Sequence, residues 1–274
     1  MSFKFALNTS TIRGQGLNLQ DEIAVVKKAG YDGIEPWISE IDSCVASGVK
    51  LKDIGKKIAD AGLAVPNLIG FFEWSCDDDA KRARGLIEAR RNFEIAQKVG
   101  SQYLAAPPFG LEPDADLRQV ATRYADLLAI GREYGVVPIL EFWGAVKKLN
   151  RMSEALFVAA ECGDRDAIIL ADVFHMYKSG SGHNSLKLIG PSSLGLLHLN
   201  DYPGDIPLNI INDSDRVYPG DGVAPLKQIL TDLQNANFGG MLSIELFNGE
   251  YYEMDALYVA KTALEKSKKI AGEI

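Results

Sequence analysis

The chain has 274 residues, 47% of them apolar and 24% charged. That balance belongs to a folded protein able to bury about three quarters of its unfolded surface, so disordered, collagen-like and disulfide-scaffold readings are excluded. With 29 Lys and Arg against 37 Asp and Glu the net charge is −8, and no nucleic-acid partner is expected, because phosphate binding needs clustered cations.

Cys44, Cys76 and Cys162 are scattered without paired spacing, as in a reducing compartment. The opening residues Met1 to Phe5 lack a long apolar core after a basic leader. No signal peptide is therefore expected, and a cytoplasmic location is the default. No run approaches the ~18 apolar residues that span a bilayer, so no membrane role is expected.

In chain order, an apolar strand covers 3–8. Asn18 reads as the cap of a helix with Ile23, Val26 and Ala29 on one side, closed by Gly30. A strand follows at 34–37. Gly62 closes another helical stretch before a strand at 64–69. Asp77, Asp78 and Asp79 read as the cap of a helix over 80–99, and Gly100 precedes a strand at 103–106. A helix over 115–134 ends at Gly135, and a strand runs over 136–142. Ser153 caps a helix reaching Cys162, Gly163 follows, and 167–174 and 194–200 are strands. A helix over 226–233, Gly239, a strand over 241–247 and a helix over 254–270 complete the chain. Glycine suits the left-handed residue just past a helix end, and it recurs here as punctuation.

Most of the eight strands are nearly continuous apolar runs, the pattern of parallel strands covered on both faces. Eight alternating strand–helix units predict one (β/α)8 TIM barrel over 1–274. A doubly wound sheet would want a Gly-rich phosphate loop after the first strand, and Thr9 to Gly16 offers only Gly14 and Gly16.

Barrel chemistry sits where strands finish. The strand at 136–142 ends in Glu141, that at 167–174 in Asp172 with His175 three residues on, that at 194–200 in His198, and the last in Glu245. Any one of these alone reads as an ordinary strand-end polar residue. Four on successive strands read as a ligand set, since carboxylates brought together need a cation to stay ionised. Three oxygen donors and one nitrogen predict one divalent ion, Mn²⁺ first, with Zn²⁺, Co²⁺ or Mg²⁺ as alternatives.

Glu35 reads either as a group that orients a ligand or bonds substrate, or as a solvated strand end. Trp37, Trp74 and Trp143 follow strand ends and read as a pocket wall or as plain packing. Arg216 lies in a long loop, 201–222, and reads equally as a functional residue or as a salt-bridge partner of Asp213 or Asp215. Lys178 reads as a surface residue.

Leu140-Glu141-Phe142, Asp172-Val173-Phe174-His175, His198-Leu199-Asn200-Asp201, Arg216-Val217-Tyr218-Pro219-Gly220-Asp221-Gly222 and Ser243-Ile244-Glu245-Leu246-Phe247 resemble the xylose-isomerase-like barrels, a superfamily of sugar isomerases and epimerases. The inosose (2-keto-myo-inositol) isomerase branch is most similar, sharing also Gly30 to Glu35 and Glu250-Tyr251-Tyr252.

The resemblance implies an isomerase moving a carbonyl to a neighbouring hydroxyl-bearing carbon of a small sugar or polyol. It implies Glu141, Asp172, His198 and Glu245 as ligands of a single metal, Glu141 and Glu245 as the proton-transfer pair, and His175 and Arg216 as substrate-holding residues. Glu35 and Trp143 join them as substrate-binding candidates from their strand-end positions alone. The D-tagatose-type 3-epimerases, hydroxypyruvate isomerases and dehydroshikimate dehydratases are alternatives on the same site. An endonuclease IV-like DNA-repair role would need more than three histidines and a basic groove. A sugar-binding barrel without turnover would not need paired carboxylates. A monomer and a homo-oligomer are both compatible with the sequence.

Overall fold

Asx caps and glycines set the element boundaries much as the sequence reading places them. The computed structural model describes residues 3–274; Met1 and Ser2, part of the leader region read above, lie outside them. Strands β1 (Lys4–Asn8), β2 (Gly33–Glu35), β3 (Tyr103–Ala106), β4 (Val137–Glu141), β5 (Ile169–Asp172), β6 (Leu194–Leu199) and β7 (Met241–Ile244) form one parallel sheet in the order β2-β1-β7-β6-β5-β4-β3.

Around it lie α1 (Leu19–Ala29), α2 (Ile38–Ala46), α3 (Leu51–Asp60), α4 (Asp79–Val99), α5 (Leu117–Tyr134), α6 (Met152–Glu161), α7 (Val173–Lys178), α8 (Leu226–Asn235), α9 (Gly249–Tyr252) and α10 (Ala256–Ala271). Asn18 accepts hydrogen bonds from the Gln20 and Asp21 backbone N–H groups, and Asp78 from that of Lys81, which satisfies N–H groups that a helix start leaves unpaired.

Residues 64–69, read as a strand, are not a regular one. The segment still closes the barrel between β2 and β3. Ile34 N–H donates to Ala64 O at 2.9 Å and Ile38 N–H to Ile69 O at 2.8 Å, while Ala105 N–H donates to Leu68 O at 3.0 Å. The physical reason is Pro66, which has no N–H to give to a ladder.

Other boundaries move for local reasons. Arg151, not Ser153, occupies the start of α6. The left-handed residue after α8 is Asn237 (φ +54°) rather than Gly239, and Asn tolerates that conformation. The stretch at 38–46 adds a helix, α2, that the periodicity reading passes over.

Two apolar layers share the strands. The larger core lies between strands and helices. A smaller one, Ile69, Ala105, Ile139, Leu170 and Leu196, fills the barrel interior. Side chains two apart on a strand share a face. Glu141 follows Ile139 by two, Asp172 follows Leu170, and His198 follows Leu196, so each is carried inward just above the interior apolar layer. Register makes these residues level with one another: His198 pairs with both Asp172 and Ser243, and Asn8 pairs with Glu35.

Candidate active site

Buried polar groups must find partners, and here they find each other. Asp172, the last residue of β5, also caps α7, its Oδ1 accepting His175 N–H at 2.8 Å. Its Oδ2 accepts from Arg216 Nη1 at 2.8 Å and from Asn200 Nδ2 at 3.2 Å. Burial opposes its ionisation, but the adjacent Arg216 guanidinium overrides this and holds the carboxyl well below the usual carboxylate range. Glu245 Oε2 accepts from the same Nη1 at 2.9 Å.

His198 is fully buried between carboxylates, with Nε2 3.0 Å from Glu35 Oε1 and Nδ1 3.1 Å from Glu245 Oε2 and 3.6 Å from Asp172 Oδ2. Burial disfavours its charged form, yet Glu245 and Glu35 raise its pKa well above the ordinary histidine value.

Asp172, His198 and Glu245 each bring one donor atom to within 4.8 Å of the other two. His198 Nδ1 nevertheless lacks an aligned hydrogen bond despite its two carboxylate neighbours. Nitrogen and oxygen donors converging without mutual hydrogen bonding fit a divalent cation, which would replace the Nδ1 proton.

Glu141 stands beside this triad and outside its 4.8 Å group, lining the same cavity as Glu245. Burial pushes its carboxyl up to about 8; His198 works against this, and the Glu245 and Asp172 charges add to it. A cation nearby would oppose that rise and favour the ionised form.

Glu35 does not line the cavity. It is fully buried, and four donors take up its carboxylate: Asn8 Nδ2 at 2.9 Å, Asn67 Nδ2 at 2.7 Å, Ser243 Oγ at 2.5 Å and His198 Nε2 at 3.0 Å. Its place is behind His198, where it fixes the ring and tautomer. Asn8, Asn67 and Ser243 escape a sequence reading, because neutral polar residues near strand ends carry no charge signal.

The cavity, about 460 Å³, has Glu141, His175, Asp213, Ser214, Arg216 and Glu245 as polar lining and Trp37, Phe71, Trp143 and Phe247 as aromatic wall. Trp37 meets Phe71 edge-on at 5.4 Å, and Phe71 meets Trp143 at 5.8 Å. Trp74 is not part of this wall. It is fully buried, donates to Pro107 O at 2.8 Å and packs on Tyr124.

His175 is buried with Nδ1 lacking a hydrogen-bond partner, and desolvation lowers its pKa, so the ring is neutral near pH 7. Arg216 joins both readings offered for it. Its Nε bonds Asp213 at 3.0 Å while Nη1 reaches Asp172 and Glu245, and the guanidinium lies 4.7 Å from the Phe174 ring centre and 5.2 Å from that of Phe247. Lys178 Nζ donates to Leu208 O at 2.9 Å and to Ile211 O at 2.6 Å, tying α7 to the loop that carries Arg216.

A larger cavity, about 990 Å³, opens at the other end of the strands, and no Asp, Glu or His lines it. Of these two cavities, the one at the C-terminal mouth holds the acidic and imidazole side chains.

Among curated proteins the chain is 28% identical to the inosose isomerase of Bacillus velezensis over 98% of each chain, and 27% identical to that of Bacillus subtilis over 99% of this chain and 97% of the relative. Among solved structures it superposes on the IOLI protein with a binding zinc atom with a TM-score of 0.90, at 24% identity over 98% of each chain. The model of the xylose isomerase-like TIM barrel family matches residues 23–270. The barrel and the family match agree, and the chain belongs to the xylose isomerase-like TIM barrel family.

Proposed function

We propose that the protein is a divalent-metal-dependent isomerase that moves a carbonyl to the neighbouring hydroxyl-bearing carbon of a cyclic polyol, with inosose (2-keto-myo-inositol) as its substrate. The carrying observation is that two glutamates from strands separated by two others, Glu141 on β4 and Glu245 just past β7, line one cavity beside a three-donor cation site. The nearly full-length similarity to inosose isomerases supports the substrate, and the zinc of the IOLI protein supports a divalent ion.

Asp172, His198 and Glu245 would hold the ion, with Glu141 as fourth donor; manganese is the ion proposed first. When bound, the ion supplies Lewis-acid stabilisation of the negative charge that develops as the α-proton leaves. One glutamate takes that proton from carbon, and the same or the other returns it to the adjacent carbon, which exchanges ketone and alcohol without net oxidation. His175, neutral with a ring nitrogen unpartnered, carries a proton between the two substrate oxygens. Arg216 holds substrate oxygen at the cavity edge, and Trp143 with its aromatic neighbours covers the C–H face and excludes water. Glu35 acts through His198.

Cys44, Cys76 and Cys162 are free thiols, and no described helix is long and apolar enough to cross a membrane. A cytosolic location is part of the proposal.

Deuterium wash-in tests it. The wild-type protein in D₂O should incorporate deuterium next to the inosose carbonyl. Glu141→Gln and Glu245→Gln should each lower turnover by about 10²-fold or more with the fold intact. Unaltered turnover in both variants contradicts the assignment.

A further inference from the structure

Asn8 ends β1 fully buried, and both polar atoms of its side chain are engaged. Oδ1 accepts the Trp37 indole N–H at 2.8 Å and the Ser10 backbone N–H at 3.0 Å. Nδ2 donates to Glu35 Oε2 at 2.9 Å and to Glu245 Oε1 at 3.1 Å. These partners leave one orientation for the carboxamide. A flip would turn its oxygen onto two carboxylates and its NH₂ onto two N–H donors.

Glu245 is thus gripped at both oxygens from different parts of the barrel, Oε2 by Arg216 and Oε1 by Asn8. Trp37, in turn, is held from outside the cavity. The Arg13 guanidinium lies 3.9 Å over its ring, and Glu40 accepts its backbone N–H at 2.9 Å.

We propose that Asn8 is a positioning residue for proton transfer at Glu245, and that the substrate wall residue Trp37 acts on Glu245 through it. The inference rests on reading Glu245 as a proton-transfer group. The Trp37 indole N–H sets the direction of the Asn8 amide, and the amide sets the plane in which Glu245 presents Oε1. A substrate packed on Trp37 therefore meets a carboxylate whose orientation is fixed by that same ring. Loss of the Asn8 amide frees the Glu245 plane while Arg216 still anchors Oε2, and loss of the Trp37 N–H only loosens it, because the Ser10 N–H stays on Oδ1; turnover therefore suffers more than substrate or metal affinity.

The test uses the metal-loaded enzyme with inosose, and calorimetric titration of the apoprotein with Mn²⁺ as a second readout. Asn8→Ala should lower kcat about 10- to 100-fold, with KM and Mn²⁺ affinity changed only about threefold. Trp37→Phe keeps a ring and removes the N–H; it should lower kcat in the same direction by a smaller factor. The double variant should be no slower than Asn8→Ala alone, because both changes cut one chain of bonds.

Multiplying effects in the double variant overturn the proposal, as does an unchanged kcat in Asn8→Ala while Glu245→Gln is inactive. Should Asn8→Ala not fold, Trp37→Phe decides alone: lowered kcat at constant KM supports the proposal, and raised KM at constant kcat overturns it. Full turnover in Glu245→Gln would instead remove the functional reading beneath it.

Discussion

Glu22 lies on the inner side of α1, 2% exposed, with Oε2 lacking any hydrogen-bond partner. Burial, reinforced by the Glu40 charge and opposed by Arg13, pushes its carboxyl up to about 8. A carboxyl whose folded-state pKa lies above the unfolded value binds more protons when folded. Its contribution to stability is complete below about pH 4.5 and is lost as pH rises towards 8. Glu22→Gln should flatten that decline. The stability difference between variant and wild type should grow from pH 5 to pH 8 by at most about 1.4 kcal/mol per pH unit. Glu141 and every other titrating group remain in both proteins, so subtraction isolates Glu22. Urea unfolding across that range checks it, and parallel profiles would contradict the reading. Sequence alone shows Glu22 only as an acidic residue in a first helical turn. Its burial depends on how α1 meets the rest of the barrel.

Among the elements, the loop after β6 shows how a long irregular segment can place a cation against two buried carboxylates. Asp201, 1% exposed, accepts backbone N–H groups from Tyr202 at 2.8 Å, Gly220 at 2.9 Å and Ala224 at 2.8 Å. It also forms the paired backbone bonds with Val217, the neighbour of Arg216. Asp201→Ala leaves one buried and two partly buried N–H donors without their carboxylate and should cost about 2 kcal/mol. Chemical denaturation should record this loss, and kcat/KM should fall with it because Arg216 loses its frame. A cost within 0.5 kcal/mol, the ordinary range for surface changes, would contradict the role. The strands and most helices are legible from apolar runs and terminal glycines, since both follow from local chemistry. Residues 64–69 are legible as a barrel stave, and Pro66 carries the signal of its break. The hydrogen bonds that remain are set by two neighbouring strands that the segment itself does not specify.

At the scale of the molecule, the barrel converts a period of two into a ring of ionisable groups resting on an apolar floor. Glu141, Asp172, His198 and Glu245 are legible because a charge closing an apolar strand has to meet something at the mouth. The division of labour among them is not legible. Asp172, His198 and Glu245 form the tight triad while Glu141 stands beside it, and Glu35 turns its carboxylate to His198 instead of the cavity. These differences are set by side-chain reach across the barrel and by Asn8, Asn67, Ser243 and Asn200, neutral residues whose importance lies in their partners.

The most direct measurement is anomalous diffraction from crystals soaked in Mn²⁺. One peak per chain is predicted, within direct coordination distance of His198 Nδ1 and of carboxylate oxygens of Asp172 and Glu245. A protein fully active on inosose with no peak at these three residues, or with its single peak elsewhere, would contradict the site described here.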